Sequence, residues 1–133
     1  MGTLSNPLPD PKPTIDGQHR IQVELINELN TAVGAGKPYE EISRILSQLT
    51  AYSKEHFTFE EFLMRQDNYN KLQNHVEEHE AMMEILKDMT KNFHDGKLNL
   101  LPGQVQSALA FLLKHINTSD RLYATNGRIG STD

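Results

Sequence analysis

The stretch Ile42-Ser-Arg-Ile45-Leu-Ser-Gln-Leu49-Thr-Ala-Tyr52-Ser-Lys-Glu-His56-Phe-Thr-Phe59-Glu60-Glu-Phe-Leu63 decides the fold. Its apolar residues recur in alternating steps of three and four, the period of an amphipathic helix. His56 falls on that apolar seam, and Glu60 follows it by one helical turn. A histidine placed where the pattern demands an apolar residue loses its hydration on folding and must be given a hydrogen bond or a metal.

The pattern repeats on either side. A segment from about Tyr69 to His94 carries Leu72, His75, His79, Met82, Leu86, Met89 and Phe93 on one seam, two of them histidines. Upstream, a helix is expected from Asp16, a plausible N-cap, to about Val33, with His19, Val23, Ile26 and Val33 inward. Downstream, after the turn signal His94-Asp95-Gly96-Lys97, a fourth helix carries Val105, Ala108, Leu112, His115, Ser119 and Leu122. The second helix is expected over Pro38 to Gln66. Four long helices with short connections predict an all-α, up-down-up-down antiparallel four-helix bundle. Residues 1–14 hold four of the six prolines and no apolar period, so they are expected to form an extended N-terminal arm. The bundle spans 15–123, and 124–133 reads as a polar C-terminal tail or a truncated linker.

Composition narrows the chemistry. A chain of 133 residues, 37% hydrophobic, has the size of one domain with one core. With no cysteine, any metal must be held by nitrogen and oxygen. The net charge of −5, with 13 basic residues spread along the chain, argues against nucleic-acid binding. No apolar run approaches a membrane span, and the cytoplasm is the expected location.

Five of the six histidines, together with Glu60 and Asp120, define the candidate site: His19, His56-x-x-x-Glu60, His75-x-x-x-His79 and His115-x-x-x-x-Asp120. Residues i and i+4 project to one side of a helix, so each motif can aim at a common interior point. Any one pair is commonplace on helix surfaces. Seven such groups at one level, by contrast, would be hard to satisfy mutually, and a metal would supply the missing charge. Five nitrogens and two carboxylates exceed a single coordination shell, which implies two ions bridged by carboxylate with one position open. Ligands of this type accept zinc, manganese, copper or nickel as well as iron. His115 and Asp120 lie five apart, about 140° around an ideal helix, so a π-type distortion or a loosened turn is expected in Ile116-Asn-Thr-Ser-Asp120 to let both reach the site.

This order and spacing resembles the hemerythrin family, and Ile15-Asp-Gly-Gln-His19 and His56-Phe57 with Glu60-Glu61 and Met64 are similar to its bacterial members. The resemblance covers about residues 14 to 123. It implies that His75, His79 and His115 hold one iron, that His19 and His56 hold the other with an open position, and that Glu60 and Asp120 bridge both together with an oxo or hydroxo group. It further implies reversible O2 binding without haem, with NO, azide or peroxide as other ligands. Phe57, Phe111, Ile116 and Tyr123 stand where the family places pocket wall. Gln22 and Asn117 are polar members of that wall, and are expected to shorten the life of the oxygenated state.

Two other functions stay open at this point. The tail could lead to a signalling domain, making the chain an O2 or redox sensor; a diiron site could also reduce peroxide or nitric oxide. The remaining chemistry-bearing residues have structural explanations. His94 is expected at the surface near a helix C-terminus, Met82, Met83 and Met89 in the core, and Glu77, Glu78 and Glu80 on a solvated face.

Overall fold

The computed structural model describes the backbone of residues 11–123 and the side chains from residue 17 on. Four helices follow in order: α1 Pro11–Gly34, α2 Tyr39–Gln66, α3 Leu72–His94 and α4 Leu101–His115, the last preceded by a 3₁₀ turn, Leu98–Leu100, and continued by a π turn, Ile116–Asp120. Each helix packs on two neighbours, α1 on α2 and α4, and α3 on α2 and α4. With connections this short, the ring is the expected antiparallel bundle. No described helix is long and apolar enough to cross a membrane.

The first three helices stop in the same way. Lys37, Tyr69 and Lys97 donate their backbone N–H to the carbonyls of Ala32, Met64 and Asn92, while the residues before them, Gly36, Asn68 and Gly96, donate to Val33, Arg65 and Phe93. These paired bonds close the last turn and require a left-handed residue. Gly36, Asn68 and Gly96 supply it at φ 66°, 52° and 83°.

Two expectations are corrected. Helix α1 begins at Pro11 rather than Asp16, so residues 11–14 are helical and not part of an extended arm. Proline is tolerated there because the first-turn N–H groups have no partner within a helix in any case. The remainder of the arm, 1–10, and the tail 124–133 lie outside the described residues. In α2 the buried face drifts from the expected seam, and Ser53, Phe57, Glu60 and Met64 are buried where Tyr52, Phe59 and Leu63 were expected. A strict seven-residue repeat falls behind a straight α-helix by about 20° per heptad. Three heptads from Ile42, the inward position has therefore moved by one residue.

The main core is aliphatic, with Ile26, Leu29, Ile45, Leu49, Leu86, Met89 and Val105 wholly enclosed. A smaller cluster of Met64, Tyr69 and Tyr123 forms near one end of the bundle. The helical register places the histidines and buried carboxylates between these two apolar layers.

Candidate metal centre

All seven predicted residues converge. His19, His56, Glu60, His75, His79, His115 and Asp120 are each at most 8% exposed. α1 contributes His19, α2 His56 and Glu60, α3 His75 and His79, and α4 His115. Asp120 arrives through the π turn, as its five-residue spacing requires. The wider turn advances the face by one residue, so Asp120 and Tyr123 are buried while Ser119 and Leu122 are only half-buried.

Glu60 stands at the middle. One of its oxygens lies 3.1 Å from His19 Nε2 and 3.2 Å from His56 Nε2, and the other 2.9 Å from His79 Nε2 and 4.0 Å from His115 Nε2. Asp120 is its counterpart, with Oδ2 2.8 Å from His19 Nε2 and Oδ1 3.0 and 3.1 Å from His75 and His115 Nε2. Two compact groups result, His19, His56, Glu60, Asp120 and Glu60, His79, His115, Asp120, and the two carboxylates belong to both. His75 joins the second group through Asp120.

These separations suit a metal. Ligand atoms about 2.1 Å from an ion stand about 3 Å from one another at the edges of an octahedron. The hydrogen-bond inventory points the same way. His56 Nε2, Glu60 Oε1 and Asp120 Oδ2 are buried and, although each has a nitrogen or oxygen within 3.2 Å, none of them meets the geometry of a hydrogen bond. His79 and His115 turn their Nε2 atoms toward each other at 3.2 Å. Their Nδ1 atoms are already engaged, by Glu61 at 2.7 Å and Glu78 at 2.5 Å. A carboxylate on Nδ1–H fixes the tautomer with a lone pair on Nε2. Two such lone pairs can face each other only if a proton or a cation stands between them. The residues therefore fit a metal.

The outer partners were missed in the sequence. Gln18 Oε1 accepts from His56 Nδ1 at 2.5 Å, completing with Glu61 and Glu78 a set that orients three of the five imidazoles. Glu78, expected on a solvated face, is half-buried, and its two oxygens share the single Ser119 hydroxyl, whose Oγ lies at 2.7 and 2.9 Å from them. The signal available was position: Glu78 directly precedes His79 on the flank of α3 that faces α4. Burial opposes ionisation of Glu78, but Ser119 and His115 outweigh it and hold the carboxyl below its usual range. Glu78→Ala is expected to weaken metal binding about 10- to 100-fold, the usual cost of losing such a partner. Chelator competition measures this, and unchanged affinity would remove Glu78 from the set.

Around the ligands, the ring of Phe57 stacks on His79 at 4.1 Å, and Tyr123 is buried with its hydroxyl donating to Asp67. Ile116 is half-buried against the core. Phe111 lines a surface depression with Glu78, Lys114, His115 and Thr118. Asn117, expected in the pocket wall, is exposed, because the π turn that brings Asp120 inward leaves residues 117 and 118 on the outer face. Gln22 is fully buried and donates to Ser53. His94 is exposed at the end of α3, bonded to the Tyr39 hydroxyl.

The electrostatics are those of a metal-free cluster. Burial opposes the imidazolium at His19 and His115, but Asp120 and Glu60 overcome it and raise them to about 9 and about 10. Burial likewise opposes ionisation of Glu60 and Asp120, yet the surrounding imidazoles hold both well below the ordinary carboxylate range. The two carboxylates thus favour the protonated forms of His19 and His115.

Comparison with known proteins agrees with this geometry. The profile of the family described as "Hemerythrin HHE cation binding domain" matches residues 10–125. The bacteriohemerythrin of Methylococcus capsulatus is 29% identical over 108 residues, covering 81% of this chain and 82% of that protein. The bacteriohemerythrin of Pseudomonas aeruginosa is 31% identical over 110 residues, covering 82% and 70%, and that of Stenotrophomonas maltophilia 27% over 111, covering 83% and 71%. No solved structure matches the chain significantly. With a helical bundle, shared buried carboxylates and a family profile spanning all the described residues, the chain belongs to the hemerythrin family of cation-binding proteins.

Proposed function

We propose that the chain binds dioxygen reversibly at a pair of iron ions held between the two apolar layers. The observation that carries this reading is the sharing of Glu60 and Asp120 by two groups of ligand atoms. His75, His79 and His115 with the two carboxylates would hold one ion by five protein atoms, and His19 and His56 with the same carboxylates would hold the other by four, so the second ion would be the one with room for a ligand. When bound, the iron pair supplies the electrons that hold O2, with NO, azide and peroxide as competing ligands.

The protein's own part is to fix and shield. Gln18, Glu61 and Glu78 hold Nδ1–H on their imidazoles, so each Nε2 lone pair points inward. Met64, Tyr69 and Tyr123 on one side and Met82 and Leu112 on the other keep bulk water away. The chain reads as a binding protein, in keeping with relatives whose names specify no reaction. Catalysis would call for an acid–base pair beside the open position, and the buried polar pair nearest His19 and His56 in sequence, Gln22 and Ser53, cannot titrate near neutrality. Sensing would act through the segment from Ala124, outside the described residues.

The test is to measure metal per chain, reduce the protein anaerobically, and admit air. Two irons and a visible charge-transfer band that appears with air and leaves under vacuum are expected. Preferential loading by another metal, or a band that never reverses, overturns the reading.

A further inference from the structure

One polar rung separates the imidazoles from the aliphatic core. Gln22 follows His19 by three residues and Ser53 precedes His56 by three, about one turn along each of two antiparallel helices. The pair thus lies one turn below the edge contact of His19 on His56, whose ring centres are 4.9 Å apart. Both residues are 0% exposed. Gln22 Nε2 donates to Ser53 Oγ at 2.8 Å, which leaves Gln22 Oε1 buried with no partner. At the corresponding depth α3 and α4 offer Met82 and Leu112, and the next turn toward the core holds Ile26 and Leu49. An apolar pair would fill the space without an unsatisfied acceptor, whose burial costs stability. The rung is therefore poorly explained by packing alone.

We propose that Gln22, held by Ser53, is the hydrogen-bonding wall of the open ligand position and sets which small ligands it prefers. This rests on the dinuclear reading above, in which the ion held by His19 and His56 is the one with a free position. The pair can serve ligands of two kinds. A serine hydroxyl both accepts and donates, so the amide can turn over and keep its bond to Ser53. As found, the free Oε1 accepts from a ligand that carries hydrogen. Turned over, Nε2–H donates to an anion such as azide. Small ligands able to hydrogen-bond at the atom far from the metal are favoured over carbon monoxide, which is a poor hydrogen-bond partner.

The test uses the full chain, iron-loaded and oxidised, titrated with azide and followed by visible absorbance. Gln22→Leu with Ser53→Ala removes both polar groups together, and Gln22→Met is a near-isosteric companion should the double variant fold poorly. Both are expected to retain two metals and to bind azide about tenfold more weakly or worse, the cost of one hydrogen bond to a charged group. The metal-free double variant is expected to melt no lower than the parent, since an unsatisfied buried acceptor is gone. Two metals with unchanged azide affinity, or a lower metal-free melting temperature with no change in azide binding, overturns the assignment and leaves the dinuclear reading intact. A parent protein that takes up fewer than two metals overturns both.

Discussion

Replacing Glu60 with alanine is expected to strip both ions from the protein, not one. Its two oxygens approach four imidazoles, those of His19, His56, His79 and His115, and no other side chain stands in both ligand groups except Asp120. Two cations a few ångströms apart repel strongly unless anions lie between them, and Glu60 is one of two buried carboxylates among the described residues. Glu60→Gln, which keeps the shape and removes the charge, should behave similarly and guards against a packing explanation. His75→Ala provides the contrast. Among the buried carboxylates of the described residues, His75 approaches only Asp120, at 3.0 Å, and in the proposed centre it would hold a single ion. Metal analysis after desalting should find two ions in the parent, only a trace in either Glu60 variant, and about one in His75→Ala, with helical circular dichroism retained in each. Two ions retained without Glu60 would dismantle the shared-carboxylate centre.

The sequence made the candidate ligands legible because chemistry and periodicity coincided at them. A histidine on an apolar seam conflicts with its surroundings, and four seams each carried that conflict at one level. The same reasoning explains the π turn: His115 and Asp120 could not both face inward on a regular helix, so the helix had to widen. The residues that hold the ligands were less legible. Gln18, Glu61 and Glu78 lie off the seams, where a polar residue conflicts with nothing, and only the approach of one helix to another shows them reaching an imidazole. Ser53 was hidden differently. A seven-residue repeat read along α2 put Tyr52 inside, whereas the true helical period buries Ser53. Asn117 shows the converse error, since counting residues from His115 ignores the turn of backbone that the distortion inserts.

Removing the metal should cost the fold on the order of several kcal/mol, and the loss should grow with pH. In the metal-free protein the folded state holds His19 and His115 at about 9 and about 10, against 6.5 for free imidazole. A group raised in this way binds its proton more tightly when folded. Its stabilising effect is complete below pH 6.5 and is lost as pH rises through 9 and then 10. Glu60 and Asp120 run the other way. Both are held below their free values of 4.5 and 3.8, so their contribution is present above pH 4.5 and falls away in acid. The metal-free protein should thus be most stable between about pH 4.5 and 6.5 and should melt at progressively lower temperature from there to pH 10. In the loaded protein the ions take the imidazole lone pairs and no proton remains to be lost. Its melting temperature should stay nearly level over the alkaline range, and loading at pH 7 should release protons into a weakly buffered solution. Scanning calorimetry of both forms from pH 5 to 10 checks the whole set, because the gap between the curves must widen toward alkaline pH. Equal melting of the two forms would mean that the buried imidazoles and carboxylates satisfy one another without a cation, and the centre would then be an ion-pair network rather than a metal site.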